Sequence, residues 1–194
     1  MKKSIGPKVP LLALPVLIVG SYDANFKPNL MACAWGGICC SEPPCVNISV
    51  RKSRYSYNNI ISHKAFSVNV LFADQSKEAD FYGIVSGKGF DKFEKTGITP
   101  IKSDLVDAPY GKEFPLVLEC KLVHQIDLGS HTEFIGEILD IKVDDNLLQA
   151  GDKITESKFN PIFYVPFIKK YFSLGDYLGN GYSHGKNFIR SIDV

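Results

Sequence analysis

The chain of 194 residues has no surplus of either charge: 22 Lys and Arg stand against 21 Asp and Glu, a formal net charge of +1. A near-neutral surface exerts no global pull on nucleic acid, so any basic function must be local. No apolar run approaches the ~20 residues of a membrane span. The nearest approach, Leu11 to Val19 behind Lys2 and Lys3, imitates a leader peptide with Val19-Gly20-Ser21 as its cleavage site. Pro10 and Pro15 interrupt that run, and Leu17-Ile18-Val19 continues as a strand into Ser21-Tyr22, so a soluble, cytoplasmic protein is expected. The cysteines lack a framework: Cys33, Cys39, Cys40 and Cys45 crowd into one strand-turn-strand, and Cys120 stands apart. Few pairings there satisfy disulfide geometry, which implies free thiols in a reducing compartment. Zinc and iron–sulfur sites favour a Cys-x2-Cys knuckle, which is missing here, so no metal is expected. Packing is the default role of such cysteines, with a redox-active thiol near a cofactor as the other.

Two further absences bear on chemistry. Gly175-Asp-Tyr-Leu-Gly179-Asn-Gly181 follows no clean strand, and Ser86-Gly87-Lys88-Gly89 lacks the Walker spacing, so the chain has no nucleotide fold of the Rossmann or P-loop kind. No Ser-His-Asp or Cys-His constellation declares itself either. If the protein is an enzyme, its chemistry belongs to a cofactor.

What is present reads as one mainly β domain over residues 1–194. Apolar residues make up 45% of the chain and charged residues 22%, which suits a single globular core. Val16 to Tyr22 is a β-rich run closed by the turn Asp23-Ala24-Asn25, with Asn29 to Trp35 as its hairpin partner. Gly36-Gly37 and Pro43-Pro44 break the chain before a strand over Cys45 to Val50. Ser53 or Ser56 then caps a short helix running to His63, with Tyr57, Ile60 and Ile61 on one face. Phe66 to Leu71 is a strand, and a second helix is expected over Gln75 to Gly83 with Asp74 as cap. Ser86 to Pro109 is irregular, and a loop of that length is either functional or pinned by a partner. Phe114 to Val143 is a long hairpin. If Asp127 and Leu128 form its turn, His124 faces His131; if Asp127 to Ser130 form it, His124 faces Glu133. About six strands with two short helices argue for a closed antiparallel barrel, since closure removes exposed edges.

Residues 29 to 58 carry the chemistry. Arg51-Lys52-Ser53-Arg54-Tyr55-Ser56 leaves a strand and enters a helix, bringing cations, hydroxyls and uncapped helix N–H groups together. That set suits a phosphate or other dianion; it equally suits a solvated basic turn capped by Ser53. Placed one strand after an Asn/Trp pocket wall, a phosphate seat fits a mononucleotide with a flat aromatic end.

The chain resembles the flavoredoxin branch of the flavin reductase-like, FMN-binding split-barrel family. The ordered segments that carry the resemblance are Ala13 to Gly20, Lys27 to Trp35, Ser41-Glu42-Pro43-Pro44, Arg51 to Ser56, Gly83 to Gly87, Asp91-Lys92-Phe93 and Gly129 to Glu137. The resemblance implies a six-stranded antiparallel Greek-key split barrel with short flanking helices, forming a homodimer with one FMN per subunit near the dimer interface. It places the flavin ring along Asn29, Met31, Ala32, Cys33, Ala34 and Trp35. The phosphate falls to Arg51, Lys52, Ser53 and Ser56, with Lys92 as a further cation. His131 approaches the ring as a modulator, and Tyr164 stands where the family often has Phe. No side chain acts as catalyst, and no nucleic-acid or membrane partner is implied. The implied activity passes electrons from a reductant such as NAD(P)H through FMN to a redox protein or small-molecule acceptor. The other role that such barrels take is a non-catalytic FMN- or haem-binding module.

Overall fold

The computed structural model describes residues 1–9, 12–150 and 153–188. Pro10 and Leu11, at the start of the leader-like run, lie outside them. The centre of the molecule is a seven-stranded antiparallel sheet built from β1 (Leu17–Tyr22), β2 (Pro28–Cys33), β3 (Gly36–Ser41), β4 (Pro44–Val50), β5 (Ala65–Val70), β6 (Leu116–Asp127) and β7 (Thr132–Val143), in the order β2-β1-β5-β6-β7-β4-β3. The additional strand is β3, a segment whose glycines and cysteines have weak strand preference; pairing with β4 overrides that local signal. Among the described residues three α-helices flank the sheet: α1 (Tyr55–His63), α2 (Ser76–Ile84) and α3 (Lys92–Thr96).

Alternation along the strands divides the apolar residues into two cores. Leu17, Val19, Met31, Ile48, Phe66, Val68 and Phe134 meet in one cluster with Tyr57 and Ile60 of α1, which fills the inside of the curled sheet. Val16, Ile18, Leu30 and Val117 face the other way and pack with Ala79 and Tyr82 of α2 and Phe93 of α3. Covering both faces explains why β1 is buried along its whole length. The barrel is split where β2 passes β4 without a ladder; Ser49 N–H reaches across to Trp35 O at 2.7 Å. This is the FMN-binding split-barrel architecture that the sequence resembles.

Several local expectations need correction. Neither Ser53 nor Ser56 caps α1. The N-cap is Arg54, no side chain caps it, and Ser56 lies buried in the first turn. Asp74 does not cap α2, because a 3-10 turn over Ala73–Gln75 precedes the helix and moves its N-cap to Gln75. The stretch from Ser86 to Pro109 is more ordered than its composition suggests. It contains α3, whose N-cap Asp91 accepts from Glu94 N–H at 3.1 Å, and the strand Pro100–Lys102, which pairs with Pro109–Gly111. In the long hairpin Thr132 pairs with Asp127, so the turn is Leu128 to His131 and His124 faces Ile135. Both expected turns were too early. Thr132 Oγ1 donates to Asp127 at 3.1 Å and shares a hydrogen bond with Tyr57 Oη at 3.1 Å, which holds the ladder open to that last pair.

Gly20 marks the tightest approach between β1 and its surroundings. A Cβ there would overlap Pro109 O and Ser67 Oγ, the two atoms of a buried 2.6 Å hydrogen bond. Gly20→Ala is therefore expected to lower stability by about 2 kcal/mol through overpacking, measured by urea denaturation. An unchanged midpoint would show that the strand relaxes freely.

Candidate functional site

The polypeptide from β2 to Trp35 forms one wall of a cleft of about 500 Å3, lined by Met31, Ala32, Cys33, Ala34 and Trp35. Tyr164 and Tyr171, from a small C-terminal hairpin (Phe163–Val165 with Lys170–Phe172), line it too, and their rings meet at 5.2 Å. Trp35 stacks on His131 with ring centroids 6.2 Å apart and planes 9° from parallel. Arg51 Nε donates to His131 Nε2 at 3.4 Å, which places the imidazole proton on Nδ1, 2.8 Å from Ser130 Oγ. Burial, and then the cations Arg51 and Arg54, hold the His131 pKa below its ordinary value, so at neutral pH the ring presents no charge.

A second chamber of about 210 Å3 shares Met31, Arg51 and Arg54 with the first, so the two form one continuous cleft. Its walls include Asn29, Ser53, Tyr55, Ser56, Gly87 and Lys92. Asn29 Nδ2 donates to Ser56 Oγ at 2.9 Å, both side chains being buried. Lys92 is only 3% exposed, yet its ammonium meets two carbonyls, Leu30 O at 2.7 Å and Tyr82 O at 2.9 Å, and among the described residues no carboxylate. Burial, followed by the proximity of Arg54, pushes its pKa down to about 8. Gly87 closes the chamber by backbone approach: a Cβ there would overlap Asn29 Oδ1 and stand 2.6 Å from Tyr55 Cδ1.

The electrostatics of this chamber are one-sided. Among the described residues Arg51, Arg54 and Lys92 line it and no carboxylate does, and the N-terminus of α1 has no side-chain cap. A buried cation with only carbonyl partners and an open helix start leave an anion as the fitting occupant. In the first chamber the one carboxylate on the wall among the described residues is Asp80, and it accepts the Tyr171 hydroxyl at 2.8 Å.

Of the residues singled out from the sequence, Asn29, Met31, Ala32, Cys33, Ala34, Trp35, Arg51, Ser53, Ser56, Lys92, His131 and Tyr164 come together on this cleft. Lys52 does not. Its ammonium turns outward to Asp127 Oδ2 at 2.7 Å, and it lines neither chamber. Arg54, from the same basic turn, lines both chambers; it was visible in that turn but not separable from Lys52 by sequence. Asp80, Gly87 and Tyr171 were missed, although Gly87 stands in the Gly83 to Gly87 segment that marks the resemblance.

The model of the flavin reductase-like domain family matches residues 10–165. The structure of flavoredoxin from Desulfovibrio vulgaris (Miyazaki F) is 42% identical with a TM-score of 0.90, over 96% of this chain and 100% of that one. Flavoredoxin from Methanosarcina acetivorans is 30% identical with a TM-score of 0.89, over 97% and 99% of the two chains. The ferric-chelate reductase (NAD(P)H) of Archaeoglobus fulgidus is 29% identical over 104 residues, 53% of this chain and 60% of that protein. The chain belongs to the flavoredoxin and flavin reductase-like family.

Proposed function

We propose that this protein is a flavin-dependent oxidoreductase that holds one FMN per subunit of a homodimer. It takes electrons from a reductant such as NAD(P)H and passes them to a small-molecule or protein acceptor in the cytoplasm. The observation that carries this reading is the joined cleft: a flat aromatic chamber opening into a smaller, carboxylate-free chamber with three cations. A bound flavin supplies hydride acceptance and onward electron transfer.

The chain's own residues position and insulate. Arg51, Arg54, Ser53, Ser56 and Lys92 hold the phosphate, and the uncapped start of α1 adds its N–H groups. The backbone from Met31 to Trp35 takes the ring, and Asn29, on the wall of the smaller chamber, holds the Ser56 hydroxyl in place. Trp35 and the neutral His131 exclude water from one side, while Tyr164 and the Asp80–Tyr171 pair bound the cleft elsewhere. No side chain is required as a general base. Tyr177, Leu178 and Tyr182 are exposed near the C-terminal end and give a second copy an apolar surface to cover. No helix among the described residues is long and apolar enough to cross a membrane.

The test is a visible absorption spectrum of the pure protein, then anaerobic titration with NADH and with NADPH. A flavin spectrum bleached by one of them is expected. Colourless protein that does not take up added FMN overturns the proposal. Light scattering tests the dimer, and turnover with and without added free flavin separates a carrier that retains FMN from a reductase that exchanges it.

Lys92 adds a pH dependence. Its ordinary pKa is about 10.4, and in the free protein it is lowered to about 8, whereas a phosphate in the chamber retains the proton. FMN affinity should be full below about pH 8 and fall above it by up to about tenfold per unit. Lys92→Met should bind more weakly at pH 7 and show a flat profile to pH 9.5, followed by quenching of FMN fluorescence. A wild-type profile that is itself flat would remove Lys92 from the phosphate site.

A further inference from the structure

The hairpin of β3 and β4 carries a second cluster of reactive groups that the flavin cleft does not use. Cys40 and Cys45 are direct antiparallel partners beside the turn that joins Ser41 to Pro44. Strict alternation would send Cys39 and Cys40 to opposite faces of the strand. The register slips between Ile38 and Cys40, which leaves Cys39 as the extra residue of a β-bulge, and a bulge re-aims side chains. As a result Cys39, Cys40 and Cys45 line one apolar groove of about 410 Å3, with His124, Ile135 and Glu137.

Geometry selects a pair among the three thiols. Antiparallel partners have Cα atoms about 4.5 or about 5.5 Å apart, and disulfides span roughly 4.4–6.8 Å. Cys40 and Cys45 can therefore join without moving either strand. Their exposure differs: Cys40 is exposed and Cys45 is buried. Cys40 Sγ donates to Glu42 O at 3.4 Å, which holds it at the open end of the hairpin. Burial, with Cys40 and Glu137 nearby, pushes the Cys45 thiol up, so Cys45 stays protonated while Cys40 meets the solvent. Cys33, by contrast, belongs to the cleft: it is buried, donates to Trp35 O and Ser49 O, and its thiol is pushed up to about 11.

We propose that Cys40 and Cys45 are a redox-active dithiol that exchanges with low-molecular-weight disulfides of the glutathione class and closes an intrachain bond across the hairpin. The Cys40 thiolate attacks one sulfur of the small disulfide, forms a mixed disulfide and expels one thiolate, which takes up a proton. Cys45 then gives its proton to solvent and attacks the Cys40 sulfur. The intrachain bond closes and the second small thiolate leaves and is protonated. Two protein thiols are oxidised and one small disulfide is reduced to two thiols. An excess of dithiol reverses the exchange.

The experiment uses the purified full chain incubated with glutathione disulfide. Free thiols are blocked with iodoacetamide, the protein is reduced, and newly released thiols are labelled with N-ethylmaleimide for mass spectrometry. Maleimide is expected on Cys40 and Cys45, with the thiol count of the denatured protein lowered by two and restored by dithiothreitol. Cys39→Ser should close the same bond, Cys40→Ser should close none, and Cys45→Ser should accumulate a glutathione adduct on Cys40. The readout does not involve the flavin. Iodoacetamide on both Cys40 and Cys45 after oxidation, or a bridge from Cys39 to Cys45, overturns the proposal.

Discussion

Alanine at both Arg51 and Arg54 is expected to weaken FMN binding by about a thousandfold and to leave riboflavin binding nearly unchanged. Both arginines line the carboxylate-free chamber, and Arg54 also lines the ring chamber. A hydrogen bond to a charged group contributes about 1.5–3 kcal/mol, and each 1.4 kcal/mol is about a factor of ten. Two such contacts to one phosphate therefore multiply to roughly 10^2 to 10^4. Riboflavin has the same ring and ribityl chain but no phosphate, so it isolates that term. Arg54→Ala alone is the cleaner variant, expected to cost about 10- to 100-fold, because Arg51 also donates to His131 and its removal disturbs the ring wall. Lys52→Ala is the control from the same turn: its ammonium faces Asp127, and FMN affinity should not change. Isothermal titration of apoprotein with FMN and with riboflavin measures all three. Equal losses for both ligands would mean that the arginines support the ring or the fold, and the phosphate seat would have to lie elsewhere.

The contrast between Lys52 and Arg54 also shows how far sequence carries. Strand β1 was legible as a short β-rich apolar run, which suits burial on both faces. Strand β5 was legible because Val68 and Val70 alternate with Ser67 and Asn69, and β6 and β7 as two long, partly alternating apolar runs about one turn. The basic turn was legible because cations, hydroxyls and a helix start coincide within six residues. Which cation enters the cleft was not legible. It depends on Asp127, 75 residues away, which captures Lys52 across the far hairpin. The same physics hid β3, whose Gly and Cys residues form a strand only because β4 offers a partner, and the bulge at Cys39, which follows from a register slip. Asp80 and Tyr171 reach the cleft through a hydrogen bond spanning 91 residues. A local pattern identifies an element, whereas a site wall assembled from distant elements is decided by packing.

Lys142→Met is expected to lower stability by about 3 kcal/mol at pH 7 while leaving the flavin cleft intact. Glu119 on β6 is fully buried and accepts the backbone N–H groups of Asp104 at 3.1 Å and Leu105 at 2.8 Å. It thereby ties the loop between Lys102 and Pro109 to the barrel. Lys142 on β7 supplies the countercharge, 3.2 Å from Glu119 Oε1, 2.7 Å from Asp104 Oδ2 and 2.9 Å from Asp140 Oδ2. Methionine keeps the apolar stem and removes the charge, so three carboxylates converge without a cation. Removing one partner of a buried pair costs about 3–5 kcal/mol; the lower end applies because Glu119 keeps its two amide donors and the Lys142 side chain is 26% exposed. Hydrogen bonds that Lys142 donates to Asp104 and Asp140 raise its pKa well above the ordinary lysine value, so its contribution is complete below about pH 10.4 and is lost as pH rises beyond it. The hydrogen bond from Lys142 lowers the Asp140 pKa, and that contribution is present above about pH 3.9 and lost as pH falls through the lowered value. The gap between wild type and variant should therefore be widest between about pH 4 and pH 10 and narrow on either side. Urea denaturation should show a lower midpoint with an unchanged slope, and Glu119→Gln added to Lys142→Met should recover more than about 1 kcal/mol. A gap under about 1 kcal/mol at pH 7, or no recovery in the double variant, would place the hold on this loop in the two amide bonds and leave Lys142 as a surface charge.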